Sequence, residues 1–228
     1  MTVERACLTF FRRALTIWAR TNRRSFPWRQ TRNPYRVLVA ELMLRRTPPG
    51  QVLDVYREFL ERWPSPRALA RADAGDLRSL LAPLGLRWRT RNMIGIAHQL
   101  ARLPQAAFHS APALKCLPGV GDYVASAVQI MAFNRSETVI DTNVIRVLGR
   151  YWGRRVHPEA RRERDFKRLA VECTPKRNVK GYTLALLDLG ATVCTARHPR
   201  CIECPLRRHC CFANRSDPKF FGRTNRVA

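Results

Sequence analysis

Apolar residues recur at helical spacing along most of the chain, and this pattern predicts an all-α fold. Within residues 6–20, the apolar positions lie three or four apart: Leu8, Phe11, Leu15 and Trp18. Asn33 and Pro34 are typical of an N-cap and a first helical residue, and they predict a helix to about Arg46. The remaining helices are predicted near 52–60, 66–69, 77–81, 88–101, 142–148, 158–172 and 179–191. Residues 112–133 are predicted to form a short helix, a tight turn and a second helix. The sequence contains no convincing strand alternation and no repeat period.

The charge of the chain indicates what these helices bind. Lys and Arg number 42 and Asp and Glu number 17, which gives a formal net charge of +25 over 228 residues. Such an excess opposes compaction unless an anion is normally near, so nucleic acid is the expected partner and an anionic membrane surface a distant second. Because 46% of the residues are hydrophobic, the chain can bury a core and is not expected to be disordered.

The sequence has neither a recognisable signal peptide nor an apolar run of about eighteen residues, so no membrane span is predicted. Eight cysteines in such a chain favour metal binding over disulfides. We therefore expect an intracellular protein of the cytoplasm, associated with the nucleoid, that acts as a monomer.

Four cysteines form the most specific pattern in the chain: Cys194, Cys201, Cys204 and Cys210. Their spacing is C-x6-C-x2-C-x5-C, and four thiolates in so short a segment can hold a [4Fe–4S] cluster or a zinc ion. Four such ligands complete the coordination, so the metal is expected to be structural. Cys211 adjoins the pattern and competes for the place of the fourth ligand. The thiols in apolar helical patterns are predicted to be buried: Cys7, Cys116 and Cys173.

A turn with the sequence LPGVG occupies residues 117–121, between two predicted helices. Gly119 and Gly121 flank Val120 and permit a turn whose backbone N–H groups converge, while the next helix adds the positive end of its dipole. This geometry suits a phosphate group and does not read base sequence. A GxG turn alone fits an ordinary helix–helix corner equally well. The Ala-rich helix that follows makes the phosphate-binding interpretation more specific.

Asp141 lies in the segment VIDTNVIRV, between an apolar run and a predicted helix start. Taken alone, this position favours an N-cap, which stabilises a helix by about 1 kcal/mol. Beside the glycine turn and the cysteine segment, the position favours a catalytic carboxylate.

These three segments, in this order, resemble the iron–sulfur branch of the helix–hairpin–helix DNA glycosylases. That branch includes endonuclease III, the MutY-type adenine glycosylases and the thymine/uracil mismatch glycosylases. The resemblance covers most of the chain, from about Phe26 to Cys210. It implies two α-helical lobes with a DNA-binding cleft between them: a six-helix barrel over 24–132, and an iron–sulfur cluster domain formed by 1–23 and 133–228. It also favours a structural [4Fe–4S] cluster over zinc.

Position 123 separates the branches of this family. Endonuclease III has a lysine there that forms a Schiff base and leads to strand cleavage, whereas MutY-type enzymes usually have a small hydroxyl residue. Tyr123 resembles the thymine mismatch glycosylases, although it also fits a packing aromatic. Arg45 and Arg46 replace two glutamines that are usual in MutY-type chains, and the length of the chain leaves no room for their additional C-terminal domain.

The resemblance implies hydrolysis of an N-glycosidic bond after the target base has left the stack. Asp141 is then the carboxylate that stabilises an oxocarbenium-like sugar and orients or deprotonates water. Glu41, protonated in a dry pocket, or Tyr123 is the candidate hydrogen-bond donor to the departing base. Glu41 lies in an otherwise apolar helix, where a carboxylate is costly unless its hydrogen bonds are satisfied.

Several residues are expected to contact DNA. Leu86 matches the wedge loop of the family, with Arg87 beside it, and barrel core is the alternative role for Leu86. Arg45 or Arg46 is expected to contact the guanine left without a partner, or else a phosphate. Arg200 and the other basic residues of the cysteine segment are expected to contact the DNA backbone.

The predicted function is therefore a monofunctional glycosylase that removes thymine or uracil opposite guanine. Its substrate is double-stranded DNA with a mismatched or damaged base. Removal of adenine opposite guanine or 8-oxoguanine is the first alternative. A non-catalytic DNA-binding module is the alternative from another class, and the two candidate carboxylates disfavour it. An endonuclease III-like lyase is disfavoured by the phenol at position 123.

Overall fold

The computed structural model describes residues 4–85, 87–102 and 105–215, and every regular element within them is helical. This confirms the predicted all-α class. The α-helices of these residues are α1 (Arg5–Asn22), α2 (Pro27–Gln30), α3 (Pro34–Met43), α4 (Pro49–Arg62), α5 (Pro66–Leu69), α6 (Ala74–Leu81), α7 (Arg87–Arg102), α8 (Ala111–Lys115), α9 (Asp122–Phe133), α10 (Thr142–Trp152), α11 (Arg164–Cys173) and α12 (Val179–Thr192). None of the helices in this part of the chain has both the length and the apolar character needed to cross a membrane.

The chain divides into two compact units. The hairpin unit is Ser25–Arg135, and the cysteine unit is Met1–Arg24 together with Ser136–Ala228. The hairpin unit contains α2 to α9, and the cysteine unit contains α1 and α10 to α12. The barrel shape and the cluster domain that the resemblance implies for these two parts of the chain stay predictions.

Helices α3 and α9 form the centre of the hairpin unit. They pack against each other, and each is buried along most of its length, as expected for helices that are apolar on all sides. Asn33 caps α3 by accepting hydrogen bonds from two backbone amides, and Pro34 is its first residue, as predicted. The helix ends at Met43, earlier than the predicted end near Arg46. Residues 44–46 form a turn instead, in which Arg46 has a φ of 58°.

The core of the cysteine unit lies where α12 packs against α1 and α10. Its largest fully buried side chains are Phe11, Leu15, Leu148 and Tyr151. Asp188 of α12 is completely buried and pairs with Arg24, whose Nε lies 2.6 Å from its Oδ1. Arg12 of α1 donates hydrogen bonds to the carbonyls of residues 172, 173 and 174 at the C-terminal end of α11. These bonds connect α1 to the end of α11.

The single helix predicted over 158–172 is wrong in its first part. Pro158–Arg162 forms a 3-10 helix, and α11 begins only at Arg164. Glu163 between them is extended, with φ −68° and ψ 131°, and this conformation interrupts the helical hydrogen bonds.

Two of the three thiols predicted to be buried are in the core. Cys7 and Cys173 are buried, which confirms the prediction for them, but Cys116 is exposed. Cys116 is the C-cap of α8, a helix of only 5 residues. So short a helix covers little surface, and its last position turns to solvent before Leu117 returns to the core.

Candidate functional site

The LPGVG segment forms a tight turn between α8 and α9. Gly119 has a φ of 75°, and the N–H of Val120 donates to the carbonyl of Leu117 over 3.1 Å. Val120 is only 5% exposed, so its side chain anchors the turn in the core. Within the described part of the chain, the N–H groups of Gly119 and Gly121 have no acceptor. Two unused amides at the start of α9 form the kind of geometry that accepts a phosphate.

Replacing Gly119 by alanine is expected to lower the free energy of unfolding by about 1–2 kcal/mol. The positive φ disfavours any side chain, and the new Cβ would lie 2.3 Å from Nδ2 of Asn92. Gly121→Ala is the matched control, because Gly121 has a φ of −97° and open space around its Cβ position. Urea unfolding measures the free energy of unfolding of both variants. Equal losses of stability would contradict the special conformation assigned to Gly119.

The two arginines after α3 have different environments. Both are exposed, but Nη1 of Arg45 donates to the carbonyl of Gly119 over 2.9 Å. Arg46 adopts the left-handed conformation, which is uncommon for a residue with a side chain. Thr47 follows the two arginines and is buried, and its hydroxyl donates a hydrogen bond to the carbonyl of Leu84.

Glu41 and Tyr123 occupy the two packed central helices of the hairpin unit. Glu41 lies in α3 and is 8% exposed among apolar neighbours, as its position in the sequence predicts. Tyr123 is the second residue of α9 and is partly exposed. Asp122, the preceding residue, forms a salt bridge of 3.1 Å with Lys115. The lysine therefore neutralises the negative charge of Asp122 close to the glycine turn.

The predicted wedge residue Leu86 lies outside the described residues. Arg87 is the first residue of α7, and its side chain lies outside them as well. Gly85, just before them, has the left-handed conformation with a φ of 82° and ends the preceding 3-10 helix, as predicted for a stop signal.

In the cysteine unit, Asp141 is the N-cap of α10. Its Oδ1 accepts a hydrogen bond from the N–H of Val144 over 2.7 Å, and its Oδ2 accepts one from Nδ2 of Asn143 over 3.0 Å. The capping interpretation of the sequence is therefore confirmed. The cap and a catalytic role are compatible, because a carboxylate offers about four lone-pair sites. The N–H groups of Val144 and Asn143 and the side-chain amide of Asn143 use at most three of them.

A hydrogen-bond network that the sequence analysis missed extends from Asp141 to the cysteine segment. Oδ1 of Asn143 accepts from Nη2 of Arg146 over 2.7 Å, and the same guanidinium donates to the carbonyls of Gly190 and Cys194 over 2.6 Å. Since Arg146 fixes the orientation of the Asn143 amide, its NH2 group must face the carboxylate. Gly190 permits this packing, because a Cβ there would lie 2.7 Å from Cβ of Asn143. The signal in the sequence was an Asn and an Arg three residues apart, on one face of α10.

Burial raises the pKa of the Asp141 carboxyl above its ordinary value, and the hydrogen bonds from Val144 and Asn143 and the charge of Arg146 offset part of this rise. If the carboxylate is the reactive form, the rate of base release falls as the pH drops through this raised pKa. We therefore expect the acidic limb of the single-turnover pH–rate profile at a higher pH than the ordinary pKa of an aspartate would give. Asn143→Ala removes a hydrogen bond that stabilises the Asp141 carboxylate, so it should move the acidic limb to higher pH. A limb at unchanged pH would contradict the assignment of this limb to Asp141.

The four cysteines of the spaced pattern line one small cavity in the cysteine unit. Burial raises the pKa of Cys204 to about 11 and that of Cys210 to about 12. Nη1 of Arg150 lies 3.4 Å from the sulfur of Cys194, where it can stabilise a thiolate. Cys211 is buried but does not line this cavity.

Within residues 4–85, 87–102 and 105–215, no group of three or more His, Cys, Asp or Glu side chains has the geometry to hold a metal ion. The donor set nevertheless fits an iron–sulfur group in its chemistry, because four thiols share one cavity with a cationic neighbour. Binding such a group would require each of the four thiols to lose its proton.

The guanidinium of Arg200 already makes hydrogen bonds within the cysteine segment. Its Nε and Nη2 both donate to the carbonyl of Thr192, and its Nη1 lies 3.0 Å from the carboxylate of Glu203. The side chain is exposed and is therefore accessible for contact with DNA. The exposed arginines of the segment are Arg197, Arg200, Arg207 and Arg208.

Comparisons with known proteins identify the family of the chain. A family model described as HhH-GPD superfamily base excision DNA repair protein matches residues 39–171. The chain is 38% identical over 220 residues to the thymine-DNA glycosylase of Aeropyrum pernix, covering 93% of this chain and 98% of that relative. It is 39% identical over 210 residues to the thymine/uracil-DNA glycosylase of Pyrobaculum aerophilum, covering 89% of this chain and 91% of that relative.

The fold has a close counterpart among solved structures. The structure of a thermostable thymine-DNA glycosylase matches with a TM-score of 0.85 and 27% identity, over 92% of this chain and 98% of that chain. The resemblance to the helix–hairpin–helix DNA glycosylases is thereby confirmed, and the iron–sulfur cluster stays a prediction. This chain belongs to the HhH-GPD superfamily of base excision DNA repair proteins.

Proposed function

We propose that the chain is a monofunctional DNA N-glycosylase that hydrolyses the bond between deoxyribose and thymine or uracil opposite guanine. The observation that carries this proposal is the similarity, at 38–39% identity over 89–93% of the chain, to a thymine and a thymine/uracil glycosylase. The substrate is double-stranded DNA, and we expect one copy of the protein to act on it, inside the cell and near the nucleoid.

The hairpin turn is proposed to bind a phosphate of the DNA backbone through the amides of Gly119 and Gly121. Such a contact fixes the position of the strand without regard to its sequence. The target base then leaves the stack, which costs a few kcal/mol and less at a mismatch than at a matched pair. The difference in that cost is one source of selectivity for mispaired thymine and uracil.

Asp141 is proposed to act on the sugar as its bond to the base breaks. The sugar becomes positively charged in the transition state, and a carboxylate close to it stabilises that charge. The same group can take a proton from the attacking water. Its hydrogen bonds to Val144 and Asn143 fix the side chain, so little reorganisation is needed when the charge develops.

Departing thymine carries negative charge, and we propose that Glu41 or Tyr123 donates a hydrogen bond to it. Glu41 is buried, so a protonated carboxyl is a reasonable donor there. Tyr123 has a phenol and cannot form the Schiff base through which a lysine at this position would cleave the strand. The expected product is therefore an abasic site in an intact strand.

We propose that Cys194, Cys201, Cys204 and Cys210 hold a [4Fe–4S] cluster. The shared cavity that they line supports this assignment. A bound cluster would cross-link the segment and supply no step of the base-release reaction. The segment would then present its exposed arginines to the DNA backbone in a fixed arrangement.

A panel of end-labelled duplexes tests the proposed function under single-turnover conditions. The duplexes contain T·G, U·G, A·G, A·8-oxoguanine or thymine glycol, and each is analysed with and without alkali. We expect alkali-dependent cleavage at T·G and U·G. Cleavage at the adenine duplexes alone would assign the chain to the adenine-removing branch. Breaks without alkali would indicate a lyase, and binding without any cleavage would indicate a non-catalytic module.

A further inference from the structure

We propose that Arg45 is a positioning residue that holds the hairpin turn in its phosphate-binding conformation, and that Arg46 is the arginine of the pair that faces DNA. The sequence treats the two as equivalent, because both precede Thr47 in an Arg-Arg-Thr segment. This inference rests on the proposed function only in taking DNA as the ligand of the hairpin.

The contact of Arg45 with the turn is specific. Its Nη1 donates to the carbonyl of Gly119, at the one position of the turn that has a positive φ. A hydrogen bond from a charged donor is stronger than one between neutral groups. This carbonyl belongs to the same peptide plane as the N–H of Val120, which donates to Leu117, so the bond from Arg45 holds the peptide that separates the two unused amides of Gly119 and Gly121.

The turn is also held from α7. The side chain of Asn92 lies so close to Gly119 that a Cβ there would be 2.3 Å from its Nδ2, and a Cβ on Gly95 would be 3.2 Å from the ring of Pro118. Arg45 adds to this support, because its Nη1 would lie 3.6 Å from the same Cβ position on Gly119. All of these residues belong to the hairpin unit.

Electrostatics adds to the effect of Arg45. The oxygen of the Gly119 carbonyl carries partial negative charge, and the guanidinium bound to it offsets that charge at the turn.

Arg46 has the features of the DNA-facing partner. It is exposed, and its φ of 58° is a conformation that costs an arginine free energy. Strained backbone of this kind persists at functional sites where the surroundings impose it. Thr47, the next residue, is buried, and its hydroxyl donates a hydrogen bond to the carbonyl of Leu84. These contacts hold the backbone on the C-terminal side of Arg46.

The test compares Arg45→Met with Arg46→Met, two substitutions that remove the same charge from adjacent exposed positions. The amide of Val120 reports on the turn, because it donates to Leu117 in the folded conformation. We expect Arg45→Met to accelerate hydrogen exchange at Val120 and to weaken binding of an undamaged duplex, each by about ten-fold. Arg45→Lys should recover part of both. Arg46→Met should leave exchange at Val120 unchanged.

Two outcomes would overturn the proposal. If Arg45→Met lowers the salt dependence of binding by about one counterion while exchange at Val120 stays the same, Arg45 is a plain phosphate contact. If exchange rises equally in the buried helices α3 and α9, the residue supports the fold in general and not the turn. Undamaged duplex is bound without base release, so an error in the thymine/uracil assignment would leave this test valid.

Discussion

Replacing Asp141 by asparagine is expected to slow base release by about 10³-fold or more at saturating protein, while the chain stays folded. An amide carries no negative charge for the oxocarbenium-like sugar and is a poor base for water. Asparagine is itself a good N-cap, so the bond from Val144 can be kept. The NH2 group would then face the NH2 of Asn143, whose orientation Arg146 fixes, and this should cost about 1 kcal/mol of stability.

Asp165→Asn is the matched control for this substitution. Asp165 is an exposed carboxylate in the first turn of another helix, α11, and has no assigned role in binding or chemistry. Single-turnover rates and thermal unfolding are compared for the two variants and the unmodified chain. If Asp141→Asn keeps a rate within about ten-fold of the unmodified chain, the carboxylate is only a helix cap.

Replacing Cys210 by serine is expected to abolish binding of the proposed iron–sulfur cluster, whereas replacing Cys211 by serine should leave it bound. The two cysteines are adjacent and both are buried, but only Cys210 lines the cavity that Cys194, Cys201 and Cys204 also line. A serine hydroxyl is a far weaker ligand for iron than a thiolate. Iron content, zinc content and visible absorption of the purified variants measure the effect.

Exposed Cys116 provides the control for loss of a thiol elsewhere, since Cys116→Ser should retain the full iron content. Zinc in place of iron in the unmodified protein would keep the four ligands and change the metal. Loss of metal from Cys211→Ser with full retention in Cys210→Ser would contradict the ligand set proposed from the cavity.

The parts of the fold that the sequence predicts well depend on local signals. Asn33 with Pro34 identifies the start of α3, and Asp141 identifies the start of α10, because capping uses residues only two or three positions apart. The tight LPGVG turn follows from its two glycines. Burial of Glu41 follows from the apolar residues on both sides of it in α3.

The parts that the sequence does not predict depend on distant contacts. The bond from Arg45 to Gly119 joins positions 74 residues apart, and nothing in either segment distinguishes Arg45 from Arg46. The contact of Arg146 with Cys194 spans 48 residues. Exposure of Cys116 depends on how little surface α8 covers, which the apolar pattern of 112–133 does not encode.

The most direct test of the central claim is the identity of the base that the protein releases. Duplexes that differ at a single pair, T·G, T·A or A·G, are incubated with excess protein, and the free bases are identified by mass spectrometry. We predict release of thymine from T·G much faster than from T·A, with no adenine from A·G and with the strand intact until alkali is added. Release of adenine from A·G without thymine from T·G would contradict the account.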